Sequence, residues 1–181
     1  MVCTANQCRS PMAAALLGQR LPAAEITSAG SLRGGQPASD GSIRAMAARG
    51  LDLSPHRSTQ LEGRLVADAD LVIGMARSHV REACLLDVDA FPKTYTLRDL
   101  VRRGELAGPA MELESWLDVI GYGRQRTDVV GDDPTEDIAD PIGMPDAAYE
   151  ETALLLDDLT DRLAFLLEPV ASDRAVPGAR Q

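Results

Sequence analysis

Two residues set six positions apart near the start of the chain carry its most specific chemical signal. Cys3 and Arg9 bracket the run Cys3-Thr4-Ala5-Asn6-Gln7-Cys8-Arg9, and Ser10-Pro11 follow it. A loop of that length leading into a helix can curl until its backbone N–H groups converge on one point. The positive end of the helix dipole adds to the concavity and makes it an anion site. Arg9 can fork two N–H donors onto a tetrahedral oxyanion. A cysteine in that field is expected to have a lowered pKa and to rest as a thiolate. Thiolate, cradle and arginine together describe a nucleophile that attacks phosphorus. The bare Cys-x5-Arg spacing is a weak signal. Its context strengthens it, because Ser10-Pro11 suits a helix start and Asn6 tolerates left-handed geometry in mid-loop. A buried thiol beside a capped helix is the bland alternative.

Such chemistry also needs an acid for the leaving oxygen, carried on a segment that reaches the cradle from elsewhere. Asp140-Pro141 fits, since the proline fixes the chain after the acid and a helix from Asp146 anchors it. Asp132, Asp133 and Asp137 share the same acidic loop and are read as solvated surface.

The elements that must position these groups alternate between strand and helix. Residues 11–21 read as a helix with Ser10 as N-cap, and residues 24–28 as a short strand ending in Ala29-Gly30. Residues 39–49 read as a helix with Ile43, Met46 and Ala47 on one face and Gly50 just past its end. The nearly continuous apolar run 70–75 suits a strand covered on both sides. A helix through His79 to Leu85, a strand at 94–97 and a helix at 112–120 around Trp116 follow. The last helix, about 146–167, repeats Leu156, Leu159, Leu163 and Leu166 at helical spacing and is expected to stop at Glu168-Pro169. Strands separated by helices predict an α/β sandwich with a parallel sheet. One domain is expected over residues 1–168, with 169–181 a disordered tail.

Composition narrows the function classes. The 181 residues are 45% hydrophobic but only 3% aromatic, so the core must be built from Ala, Val, Leu and Ile. Lys and Arg total 18 against 28 Asp and Glu, a formal charge of −10 with the basic residues scattered, which argues against nucleic acid as a partner. No apolar run approaches the roughly 20 residues needed to span a bilayer, and no signal peptide is visible, so a cytoplasmic protein without membrane contact is expected. Three cysteines and two histidines lack zinc-site spacing, so no metal is expected. His56 and His79 are read as helix-end or surface residues, Trp116 and the leucine stripe as core, and Cys84 as a small buried hydrophobe. Oligomeric state leaves no mark in the sequence.

Taken together, residues 3–11, Ser28-Ala29-Gly30 after the next strand, and Asp140-Pro141 before the final helix resemble the low-molecular-weight protein tyrosine phosphatases over roughly residues 2–167. The resemblance implies a flavodoxin-like three-layer sandwich with four parallel strands in the order 2-1-3-4. It implies cysteinyl-phosphate chemistry without metal or cofactor, on a phosphotyrosine protein or a small phosphoester. Cys3 would be the nucleophile, Arg9 the phosphate clamp and transition-state stabiliser, and Asp140 the general acid and then the base for water. Thr4, Ala5, Asn6, Gln7 and Cys8 would form the phosphate-binding loop, held by hydrogen bonds from Asn6, Ser10 and Ser28. Cys8 would match a second loop cysteine able to form a reversible disulfide with the nucleophile.

The chain departs from the family pattern in several places. Ala5 stands where glycine is usual, which is tolerable if its φ is negative. Ile142-Gly143 follows Asp140-Pro141 where one or two aromatics usually wall the phenyl ring, and Thr59 replaces a common arginine. About 40 residues separate the strand at Thr94 from Asp140, an insertion expected to hold the Trp116 helix. Only Met1 and Val2 precede Cys3, fewer than a strand of the usual five or six residues requires. The first strand is therefore expected to be missing or truncated, its neighbours to lack their central partner, and the natural protein to begin upstream of Met1. A chain starting at Met1 is expected to be poorly stable and weakly active. Two other functions remain open at this point: an arsenate reductase relying on an external thiol, and a non-catalytic phosphate-binding module.

Overall fold

In the computed structural model, which describes residues 1–174, the apolar stretch at 70–75 contributes strand β3 (Val72–Gly74). It lies in a four-stranded parallel sheet with β1 (Val2–Cys3), β2 (Ala29–Gly30) and β4 (Thr94–Thr96), in the order β2-β1-β3-β4. Around the sheet stand α1 (Arg9–Arg20), α2 (Asp40–Ala47), α3 (Gly63–Asp68), α4 (Arg77–Leu86), α5 (Leu97–Ala107), α6 (Leu113–Gly121) and α7 (Asp146–Arg174). The order is the one the family resemblance implies.

Alternation along the strands divides the core into two layers. Cys3, Ile73 and Tyr95 face a large cluster with Met12, Leu16, Met46, Leu100, Leu156 and Leu163, from α1, α2, α5 and α7. Val2 and Val72 face the other way, onto Ala29, Leu61, Val66, Ala83 and Ala90, beneath α3 and α4. Helix layers on both faces make the three-layer sandwich, and the all-apolar composition of β3 follows from burial on both sides.

The first strand is short but present, which corrects the expectation that its neighbours lack a central partner. Val2 and Cys3 pair with Ala29 and Gly30, and Val2 pairs with Gly74 on the other side. Ladder bonds run from Ala29 N–H to Met1 O and from Met75 N–H to Val2 O, each 2.9 Å. Two residues thus suffice to hang the loop from the carboxyl end of a central strand. The strand expected at 24–28 is confined to Ala29–Gly30, and just ahead of it Thr27 O accepts from the Met1 amino group at 2.9 Å. Beyond Met1, at the end of the sheet opposite the loop, a groove of about 720 Å³ separates residues 24–27 from 68–71.

Helix boundaries bring further corrections. Helix α1 starts at Arg9 with Cys8 as N-cap, because the Ser10 hydroxyl is engaged in the loop instead of capping. The helix read at 39–49 is α2, with Ser39 as its N-cap, but its buried face is Gly41, Ser42, Ala45 and Met46. That face is set by the Tyr149 ring, which leaves no room for a side chain at Gly41. Helices α3 and α5 had no counterpart in the sequence reading. The Trp116 helix is α6, with the indole N–H donating to Gly108 O at 2.8 Å.

Helix α7 runs through Pro169 to Arg174, so the tail expected from 169 is helical as far as 174, while the rest of that expectation lies outside the described residues. A proline removes one ladder donor and crowds the preceding turn. The unmade bond is the one to Phe165 O, four positions back, and the next carbonyl, Leu166 O, accepts from Ala110 N–H at 2.8 Å. Leu156, Leu159, Leu163 and Leu166 are all buried, as their spacing predicts.

Candidate active site

Residues 4–8 join the carboxyl end of β1 to the first turn of α1. Among the described residues, no hydrogen bond uses the backbone N–H of any of these five as donor. Their carbonyls, by contrast, are fastened outward: Thr4 O accepts from Leu32 N–H at 3.0 Å, and Gln7 O from Ser39 N–H at 2.9 Å. A loop whose carbonyls are tied back and whose N–H groups remain open is an anion cradle, reinforced by the α1 dipole.

Asn6 holds the loop in that shape. It is fully buried, and among the described residues it is the one non-glycine with positive φ, at 53°. Its Nδ2 donates to Ser10 Oγ (2.9 Å) and Ser28 Oγ (2.8 Å), and its Oδ1 accepts from Thr59 N–H (2.8 Å). The half-buried His56 ring donates from Nε2 to Asn6 O at 2.7 Å. His56 therefore braces the loop rather than sitting at a helix end, which corrects the sequence reading. Ala5 avoids positive φ, so the usual glycine is dispensable there. Gly30 is not dispensable: a Cβ on it would lie 2.7 Å from both Asn6 N and Thr4 O.

Cys3 is buried at the floor of the loop, its Sγ 3.0 Å from Ser10 Oγ. Asn6 donates into the Ser10 oxygen, so the Ser10 hydroxyl proton is left for the sulfur or for Ala29 O, 3.4 Å away. Cys8 points elsewhere, onto Ser39 Oγ at 3.1 Å, and burial pushes its thiol pKa up. Cys84 is half-buried on α4, its pKa also raised by burial.

Arg9, from the first turn of α1, donates from Nη1 to Ile138 O at 3.0 Å and from Nη2 to Asp140 Oδ2 at 2.5 Å. Asp140 thus reaches the cradle, as its place in the sequence suggests. Its other oxygen, Oδ1, accepts from Ile142 N–H at 3.2 Å, and Gly143 N–H donates to Tyr149 OH at 3.3 Å. The acids read as solvated surface do structural work here. Arg77 reaches Asp133 (3.0 Å) and Glu136 (3.3 Å), and its backbone N–H donates to Asp137 Oδ1 (2.8 Å). That clasp lies beside the bond from Ile138 N–H to Met75 O (2.8 Å), so the loop is docked at the carboxyl end of β3. Ile142 is half-exposed next to Asp140, where an aromatic wall would stand.

His79 is a residue the sequence reading missed. Read as helix-end or surface, it is 2% exposed, and its Nε2 lies 3.0 Å from Thr4 Oγ1. Burial first, then the charges of Arg9 and Arg81, push its pKa down to about 4. Its signal in the sequence was faint: a polar residue four positions after the apolar β3 run, at the start of a helix whose N-terminus faces the loop. Among the described residues, no group of three or more His, Cys, Asp or Glu side chains is placed to hold a metal ion, and no helix is long and apolar enough to cross a membrane.

Comparison with known proteins bears on the family and the fold. The chain is 47% identical over 83 residues to a protein from Ralstonia solanacearum named probable low molecular weight protein-tyrosine-phosphatase EpsP, a match covering 45% of this chain and 57% of that one. The chain therefore spans little more than half the length of that relative. Similarity to solved structures is broader. The YwlE arginine phosphatase from Geobacillus stearothermophilus superposes with a TM-score of 0.69 at 31% identity, covering 99% of this chain and 96% of that one. A YwlE arginine phosphatase mutant with a phosphorylated active-site serine superposes with a TM-score of 0.68 at 26% identity, over 90% of each chain. The profile described as low molecular weight phosphotyrosine protein phosphatase matches residues 1–110, and the chain belongs to that family.

Proposed function

We propose that the chain hydrolyses phosphorylated protein side chains, in the manner of a protein tyrosine phosphatase, through a cysteinyl-phosphate intermediate. What supports this reading is that the loop from Cys3 to Arg9 leaves the N–H groups of residues 4–8 unbonded while Arg9, at its end, meets Asp140. In the first step the Cys3 sulfur attacks phosphorus, the bond to the leaving oxygen breaks, and the Asp140 carboxyl gives that oxygen its proton. In the second step Asp140, now a carboxylate, takes a proton from water as the water oxygen attacks phosphorus. The S–P bond breaks and orthophosphate leaves. Arg9 and the loop N–H groups hold the equatorial oxygens, where charge is concentrated in the transition state. Ser10 donates to the sulfur whenever it is anionic. All these groups belong to the chain itself, so the reaction calls for no cofactor.

Ile142 beside Asp140 supports a second substrate, phosphoarginine, whose P–N bond would break and whose guanidine nitrogen would take the proton from Asp140, since an aliphatic rim does not select a phenyl ring. The near full-length likeness to a protein named arginine phosphatase points the same way. A para-nitrophenyl phosphate assay on wild type and Cys3→Ser tests the central reading, with phosphotyrosine and phosphoarginine peptides run alongside. Turnover abolished by the substitution supports it. Arsenate-dependent consumption of thiol without phosphatase turnover would replace it with an arsenate reductase. Phosphate binding without turnover would leave a binding module.

A further inference from the structure

We propose that His79 is a positioning residue for the phosphate clamp, acting on Arg9 through the hydroxyl of Thr4; the inference rests on the cradle reading above. Thr4 Oγ1 stands between the two: it is 3.0 Å from His79 Nε2 and 3.4 Å from Arg9 Nη2, the nitrogen that also meets Asp140. Arg9 has only donors, so it must occupy a lone pair of the Thr4 oxygen. That leaves two arrangements. If His79 carries its proton on Nδ1, Thr4 donates to Nε2, and a buried N–H at Nδ1 is stranded, because Nδ1 has no partner among the described residues. If the proton is on Nε2, His79 donates to Thr4 and only an acceptor is left unpaired.

Stranded buried N–H groups are the rarer and costlier of the two, so the second arrangement prevails. Both lone pairs of Thr4 are then filled, one by Arg9 and one by His79. The hydroxyl proton is turned away from both, and the exposed Thr4 side chain can present it at the mouth of the cradle. His79 in this way does two things. It fixes the oxygen against which the Arg9 guanidinium rests, and it turns the Thr4 hydroxyl into an additional donor for a phosphoryl oxygen. The depressed pKa keeps the ring neutral, so a single proton is available for this role.

A double-mutant cycle tests the proposal. Thr4→Val and His79→Phe are each expected to lower kcat on para-nitrophenyl phosphate by about tenfold or more, with smaller changes in KM. The double variant is expected to lose no more than the larger single loss, since His79 acts through Thr4. His79→Gln, which keeps an N–H donor near the Nε2 position, recovers much of the loss, whereas His79→Asn does not. Losses that multiply in the double variant, or a His79→Phe protein with a lower melting temperature but wild-type kcat, would overturn the inference. Thr4 is exposed, so the Thr4→Val arm reports even where a His79 variant fails to fold: an unchanged kcat there also overturns it. If wild type binds orthophosphate without turnover, hydrolysis fails as a reading and the same cycle is read on orthophosphate affinity. If wild type does neither, the cradle and this inference fall together.

Discussion

Arg9 and Asp140 are separated by 131 positions in the chain, yet Arg9 Nη2 and Asp140 Oδ2 lie 2.5 Å apart, the guanidinium side chain 7% and the carboxylate 34% exposed. The same arginine is held from its other nitrogen by Ile138 O, so one side chain gathers the loop at 138–140 against the cradle. The contact joins the two halves of the proposed mechanism, Arg9 as phosphate clamp and Asp140 as acid for the leaving group.

Replacing Asp140 by Asn keeps the shape and removes the transferable proton. The expected loss in kcat is about 10²–10⁴ for an alkyl-like or phenolic leaving group, and smaller for a strongly acidic one that needs no proton. Orthophosphate inhibition should persist, because the cradle is intact. Rates across a series of leaving groups check this; a uniform loss would remove Asp140 from the acid role.

Releasing the loop from outside the site should mimic that effect in part. Arg77→Ala removes the side-chain ties to Asp133 and Glu136 while leaving Cys3, Arg9 and Asp140 in place. We expect kcat to fall by about tenfold with orthophosphate binding close to wild type, since a misplaced catalytic group costs orientation rather than affinity. Steady-state kinetics with phosphate inhibition decide it; weakened phosphate binding at full kcat would contradict it.

Asn6 combines a left-handed backbone with three side-chain hydrogen bonds. Asn6→Ala loses the bonds and adds a backbone penalty of about 1–2 kcal/mol, whereas Asn6→Gly loses only the bonds. Urea denaturation should therefore rank wild type above Asn6→Gly, and Asn6→Gly above Asn6→Ala. Equal stabilities for the two variants would show that the positive φ is not a constraint in solution.

Gly30→Ala would drive a methyl group into the backbone of Thr4 and Asn6. We expect a destabilisation of about 1–3 kcal/mol together with loss of turnover, because the loop cannot yield without moving its N–H groups. Denaturation and para-nitrophenyl phosphate kinetics on the same preparation test both parts; a stable, active Gly30→Ala chain would refute the close approach.

His79 makes stability depend on pH in a stated direction. Its folded pKa of about 4 lies below the ordinary 6.5, so between these values the unfolded chain holds more protons than the folded one. Stability from this group is thus complete above pH 6.5, declines as pH falls toward 4, and is level below. The loss reaches about 3 kcal/mol, at about 1.4 kcal/mol per pH unit. The difference between wild type and His79→Gln in urea titrations from pH 7 to 4 isolates it from the carboxylates, and a flat difference would count against the buried neutral ring.

Much of the molecule was legible from local pattern. The cradle residues are consecutive, so Cys3 to Pro11 could be read as one loop entering a helix, and β3, β4 and the leucine face of α7 follow from apolar spacing. Other features were set by partners far away in the chain. Pro169 signals a stop, but the helix continues to Arg174, with Ala171 beyond the proline still packed in the core cluster. Two residues before Cys3 look too few for a strand, yet they pair on both sides because β2 and β3 supply their partners. The acidic loop reads as solvated until Arg77 is found beside it.

The sequence by itself determined the chemical types and their local order: a thiol, an arginine and a left-handed asparagine in one loop, and an acid ahead of the last helix. Spacing along a chain suffices for this, because residues a few positions apart share one stretch of backbone. Only the tertiary structure decided that Asp140 meets Arg9, that Ser10 serves the loop rather than capping a helix, and that His79 lies under Thr4. Those outcomes depend on which side chains share a buried volume. There each donor must find an acceptor at hydrogen-bond distance, whatever the separation in sequence.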